Sequence, residues 1–164
     1  MIVHSRELMP VVRAALERGQ RVRMTVNGSS MLPFLRDSDV VELEPAPAPR
    51  LGDMVLVQTN PPDAVECYVL HRIVRMDGGS AFFIRGDAQD YYDGPFTPDA
   101  VLGRVITTWR NGRARALDRG PWRLAGLAWV WMSPLGFFLL QLAIPLWQFG
   151  RRVQRWLQRF WKQT

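Results

Sequence analysis

The sequence holds one lysine, Lys162, two histidines, His4 and His71, and one cysteine, Cys67. Each scarcity excludes something. A single cysteine rules out an internal disulfide and does not report the redox compartment. With the only lysine at the far end of the chain, a lysine base inside a folded domain is all but excluded, and a proton acceptor working near neutral pH has to be a histidine. There is no HExxH, no Cys/His cluster at metal-ligand spacing and no glycine-rich phosphate loop, so neither a metal nor a cofactor is expected. Near the start, His4, Arg6, Glu7, Arg13, Glu17 and Arg18 interrupt any apolar run. No secretory signal is therefore expected, and the domain is expected to stay on the cytoplasmic face of a membrane.

What is present is unevenly spread. Residues 1–103 carry 10 Arg against 14 Asp and Glu, net −4, whereas 104–164 carry 11 Lys and Arg against Asp118 alone, net +10. Leu124 through Phe149 is an uncharged stretch of 26 residues containing Trp129, Trp131, Phe137, Phe138 and Trp147. Pro134 and Pro145 divide it into pieces shorter than the ~20 residues that cross a ~30 Å hydrocarbon core, although a kinked helix using the whole stretch could span. Beyond it, Phe149, Val153, Trp156, Leu157, Phe160 and Trp161 share one helical side, with Arg151, Arg152, Arg155, Arg159 and Lys162 on the other. An apolar, tryptophan-rich segment bracketed by basic residues suits an anionic lipid surface, where each charge contributes about 1 kcal/mol. Docking of this tail on the domain or on a second subunit competes with that reading, and the pattern sets no oligomeric state. Nucleic acid is not an expected partner.

The division predicted is a folded domain over 1–118 and an apolar, amphipathic helical tail over 119–164. A short helix is predicted over 5–18, with Ser5 as cap, Leu8, Val11, Val12 and Leu16 on one side, and Gly19 at its end. From Arg21 the apolar period becomes two, which predicts a strand running through Val22, Met24 and Val26 into Gly28. Further strands are predicted at Val40–Glu44, Met54–Gln58, Val65–Met76, Ala81–Arg85 and Val101–Trp109. Asn111-Gly112 supplies the positive φ angles of a tight hairpin. The domain is thus mainly β, and many short strands with frequent turns argue for a coiled, partly barrel-like sheet.

Chemistry concentrates in few places. Gly28-Ser29-Ser30-Met31-Leu32-Pro33 has the form of a turn in which small residues let the backbone approach a substrate carbonyl and the Ser30 amide points at a developing oxyanion. A serine hydroxyl needs an adjacent base, and His71 stands alone in the apolar run Val69-Leu70-His71-Arg72-Ile73-Val74. Cys67, four residues earlier on the same strand, is about 13 Å from His71 at ~3.3 Å per residue and is read as a packing residue. Asp53 and Asp87, in Gly52-Asp53 and Gly86-Asp87, are read as holding turns through side-chain-to-backbone hydrogen bonds.

Taken in order, Ser30-Met31-Leu32-Pro33, Gly52-Asp53-Met54-Val55, His71-Arg72-Ile73-Val74, Gly86-Asp87 through Asp93, and Val101-Leu102-Gly103-Arg104-Val105 resemble the signal peptidase I clan, which includes the LexA-like self-cleaving repressors. The resemblance covers roughly residues 20–110. It implies that clan's complex β-fold and a serine endopeptidase cutting an extended peptide or protein segment. His71-Arg72 is similar to the endoplasmic-reticulum and archaeal type, which uses histidine where most bacterial members use lysine. In that type an aspartate six residues beyond the Gly-Asp aspartate completes the site, which implies Asp93 rather than Asp90. The implied roles are Ser30 as nucleophile, His71 as general base and Asp93 orienting the imidazole. This chain departs from the clan at Gly28-Ser29. Signal peptidases commonly carry Ser-Gly there, and Gly28 has no hydroxyl to give the oxyanion. Ser29 is a weak substitute, because neighbouring side chains on an extended segment point apart. A self-cleaving regulator and an idle peptide-binding or membrane-interaction module with the same fold remain alternatives.

Overall fold

The computed structural model describes residues 8–59, 67–78 and 80–132. The start of the predicted first helix with Ser5, the strand residues Val65 and Glu66, and the basic tail beyond residue 132 lie outside the described residues. Eight strands and two helices follow one another as α1 (Met9–Glu17), β1 (Val22–Thr25), β2 (Val40–Glu44), β3 (Met54–Thr59), β4 (Cys67–Asp77), β5 (Ala81–Arg85), β6 (Asp93–Phe96), β7 (Val101–Arg110), β8 (Arg113–Ala116) and α2 (Gly120–Trp131).

The strands form one antiparallel sheet in the order β1-β2-β7-β3-β4-β5-β6, with β8 on β7. β7 organises it. One edge of β7 carries β2, while its other edge takes β3 over the first half and β8 over the second. The expected mainly β architecture is present; as for its partly barrel-like character, among the described residues β1 and β6 stand at the two ends and do not pair with each other, so the sheet is not closed into a barrel. β6 suits an end position, since Pro95 in its middle has no N–H to donate to a further strand.

Alternating segments such as β1 bury one face, whereas β3 is a continuous apolar run because both its faces are buried. Along β3, Met54 and Leu56 enter a cluster with Met9, Val12 and Leu16 of α1, Met31, Leu35, Leu43, Leu70 and Val105. Val55 and Val57 enter a second cluster with Ile73, Phe82 and Ile84 on the opposite face. The predicted hairpin is present, with Asn111 at φ 51° and Gly112 at φ 74°. β6 is the strand that the sequence concealed, since Asp93-Gly94-Pro95 has the composition of a turn.

α2 is inverted relative to an ordinary surface helix. Its one charged residue, Arg123, turns inward to Asp53, whereas Leu124 is 68% exposed and Trp131 80% exposed on its outer side. The boundary expected at 118/119 therefore falls in front of a helix that is bonded to the sheet. Among the described residues no helix is long and apolar enough to cross a membrane.

Candidate active site

The turn bearing Ser30 is held from beneath. After β1, the Val26 amide donates to Asp39 O at 2.9 Å and the Gly28 amide to Asp37 Oδ1 at 2.9 Å. Met31 and Leu35 are fully buried and joined by a helical bond from the Leu35 amide to Met31 O at 2.9 Å. Arg110 braces the same loop, donating to Asp39 Oδ2 at 2.6 Å and to Phe34 O at 3.0 Å. Ser30 is half-buried between exposed Ser29 and buried Met31, and Gly28, at φ 103°, is exposed.

The position of Ser30 relative to His71 follows from strand register. His71 pairs with Val55 on β3, and Arg72 pairs with Arg85 on β5. One step further along this antiparallel ladder, Gly86 comes abreast of His71. The Ala88 amide donates to Ser30 O at 2.8 Å, and a Cβ built on Gly86 would stand 2.7 Å from that same oxygen. Directly paired residues present their side chains to one face. The Ser30 carbonyl thus sits against the end of β5, in the space that the missing side chain of Gly86 leaves open.

Asp93 arrives from the next strand over. It pairs with Ile84 of β5, and its Oδ2 faces His71 Nδ1 at 3.4 Å. That contact is longer than the ~2.7–2.9 Å of a charge-assisted hydrogen bond and does not offset burial of the ring. His71 is 2% exposed, and burial lowers its pKa from 6.5 to about 3, so the imidazole is neutral. Burial likewise raises the Asp93 carboxyl above its ordinary range.

Around this pair, the recurrent Gly-Asp and His-Arg segments are joined by ion pairs. Arg72 donates from Nε and Nη2 to the two oxygens of Asp87, both at 2.7 Å, and from Nη1 to Gly52 O at 2.9 Å. Its guanidinium lies 4.6 Å over the Phe34 ring. Asp87 was expected to hold its turn, but its two oxygens accept from Arg72, and among the described residues no backbone amide donates to them. Burial pushes its carboxyl upward against the opposing pull of Arg72. Asp53 does hold its turn, accepting from the Arg50 amide at 3.0 Å, and it also accepts from Arg123 at 2.8 Å. Trp129 Nε1 donates to Asp87 O at 3.0 Å, and Gly126 gives α2 the clearance to pass over Arg72, whose Nη1 would stand 2.6 Å from a Cβ there.

Of the residues named from the sequence, His71 and Asp93 face each other at 3.4 Å, and the Ser30 turn is seated through its carbonyl against Gly86 and Ala88 at the end of β5. Sequence reasoning missed the hub, Arg72. The signal was present: an arginine inside an apolar strand requires a buried anion, and two Gly-Asp turns were the available sources. Among the described residues no group of three His, Cys, Asp or Glu is placed to hold a metal ion. Comparison of the chain with protein-family models, curated proteins and solved structures finds no match.

Proposed function

We propose that this protein is a membrane-associated serine endopeptidase of signal peptidase type, with Ser30 as nucleophile, His71 as general base and Asp93 as the group that orients and supports the imidazole. The observation that carries the proposal is the His71–Asp93 contact at 3.4 Å, and the seating of the Ser30 turn against Gly86 at the end of the neighbouring strand supports it. A neutral imidazole can accept the Ser30 proton as the hydroxyl attacks a peptide carbonyl, and can return it to the leaving amine. A bound polypeptide that excludes water would strengthen the attraction between Asp93 and the imidazolium formed during attack. Membrane attachment is supported by the apolar outer side of α2, which leads into an uncharged run and then a basic segment.

The test is a serine-reactive fluorophosphonate applied to the full chain together with a peptide-cleavage assay. Labelling at Ser30, with cleavage abolished in Ser30→Ala and in His71→Ala while both variants keep the native circular dichroism spectrum, is the expected result. Cleavage that survives in either variant overturns the assignment, and absence of labelling across pH 5 to 9 (about the range that covers the ordinary charge change of histidine) leaves a peptide-binding module in its place.

A further inference from the structure

Two arginines are buried side by side on the face of β4 and β5 opposite His71: Arg72, 2% exposed, and Arg85, 6% exposed. One carboxylate, Asp87, feels both charges and hydrogen-bonds one of them. Asp87 commits both of its oxygens to Arg72. Arg85 is left, among the described residues, with a hydrogen bond from Nη1 to the Tyr92 hydroxyl at 3.3 Å, and its guanidinium carbon lies 5.2 Å from the Tyr92 ring. Arg85 Nε is buried and has no acceptor. A guanidinium cannot shed its proton to escape burial, so a desolvated arginine lacking an anion is a site short of one ligand.

Beside it lies an open cavity of about 420 Å³ lined by Val74, Arg75, Phe83 and Tyr92. Tyr92 belongs to both: it walls the cavity and is the hydrogen-bond partner of Arg85. Arg75 stands 4.9 Å over the Phe83 ring and has only a loose 3.9 Å contact with Asp77, so a second cation borders the same apolar surface. An aromatic wall beside two guanidiniums fits a carboxylate on a short apolar arm, received at Arg85 Nη1, where the Tyr92 hydroxyl now accepts. The neighbouring strand β6 ends the sheet, and a peptide laid along it, short of one ladder bond at Pro95, would present alternate side chains to the Asp93 face and to the Arg85 face.

We propose that Arg85, Tyr92, Phe83 and Arg75 form a subsite for an acidic side chain of a bound polypeptide, Asp or Glu, with Arg85 receiving the carboxylate in place of the Tyr92 hydroxyl. The subsite deepens the peptidase reading by naming a substrate preference, yet binding at it needs no catalysis, so the two can fail separately. The experiment is calorimetric titration of the full chain in neutral detergent, in the Ser30→Ala background so that cleavage does not consume the ligand. The probes are a blocked alanine pentapeptide with glutamate at its centre, the same peptide with glutamine, and glutarate. The expected result is at least about ten-fold tighter binding of the glutamate peptide than of the glutamine peptide, with the preference lost in Arg85→Met. Equal affinities, absence of binding by either peptide, or a preference that survives Arg85→Met overturns the proposal. Glutarate bound as tightly as the glutamate peptide overturns the polypeptide assignment in favour of a small acid. The comparison of the two peptides on the Arg85-containing protein decides by itself should Arg85→Met not fold.

Discussion

The carbonyl oxygen of Ser30 occupies the space in which a side chain at Gly86 would stand. Gly86 is thereby part of the site without carrying any chemistry: its lack of a Cβ lets the serine turn settle against the strand end abreast of His71. A methyl group there would meet backbone on one side and the Gln89 side chain on the other, and backbone cannot swing away as a flexible side chain can.

Gly86→Ala is accordingly expected to displace Ser30. Destabilisation of about 1–3 kcal/mol is expected from overpacking, together with a loss of fluorophosphonate labelling of about ten-fold or more, since small misplacements of a reacting group are costly. Thermal denaturation read beside the labelling rate separates the two effects. Labelling at the wild-type rate in a folded Gly86→Ala protein contradicts this account of the turn.

The two buried arginines should respond in opposite ways. Arg72→Met strands the Asp87 carboxylate and is expected to cost about 3–5 kcal/mol, as for a broken buried pair. Arg85→Met removes a cation that has no ion pair among the described residues and is expected to leave stability unchanged or raised. Urea denaturation of both variants checks this, and a loss at Arg85 as large as that at Arg72 contradicts the asymmetry.

The depressed pKa of His71 sets a sign for acid sensitivity. The unfolded chain takes up a proton near the ordinary histidine value of 6.5, whereas the native ring resists protonation down to about 3. Above pH 6.5 both forms are neutral and the full stability is present. As pH falls below 6.5 the unfolded state binds more protons, so stability declines toward the one-proton slope of about 1.4 kcal/mol per pH unit until the native ring titrates. Asp93, held above the ordinary carboxylate range, acts in the opposite sense, because acid protonates it first in the native state. Comparison of the protein with His71→Gln over pH 4 to 7 (about the window of that histidine slope) isolates the histidine, and identical pH profiles for the two exclude it as the cause.

On the outer side of α2, Leu124→Asp with Trp131→Asp is expected to weaken sedimentation with vesicles of anionic phospholipid by ten-fold or more, as each side chain removes about 1.5–3 kcal/mol of buried apolar contact. Because both residues are exposed, the melting temperature should not change. Unaltered sedimentation would show that α2 does not carry lipid contact.

Much of the sheet could be read directly. β2 and β5 fall on their predicted bounds, and β3, β4 and β7 fall within a residue or two over the described residues, because each is a short apolar or alternating run bounded by turn residues. β6 could not be read, since Asp93-Gly94-Pro95 is strand only by virtue of lying beside β5. Asp87 was misjudged for a related reason. A Gly-Asp turn looks the same whether its carboxylate caps local backbone or crosses to an arginine 15 residues away.

The amino-acid sequence by itself determined which side chains were available for chemistry: one serine turn, one histidine in an apolar strand, and no lysine inside the domain. It also determined that strands would dominate, because alternation of apolar and polar residues is a local property of the chain. Only the tertiary structure decided that Asp93 faces His71, that Gly86 clears the ground for the Ser30 carbonyl, and that Asp87 bonds Arg72 while Arg85 has no bonded anion among the described residues. Those relations depend on strand register and on which face of the sheet each residue occupies, and long-range pairing sets both.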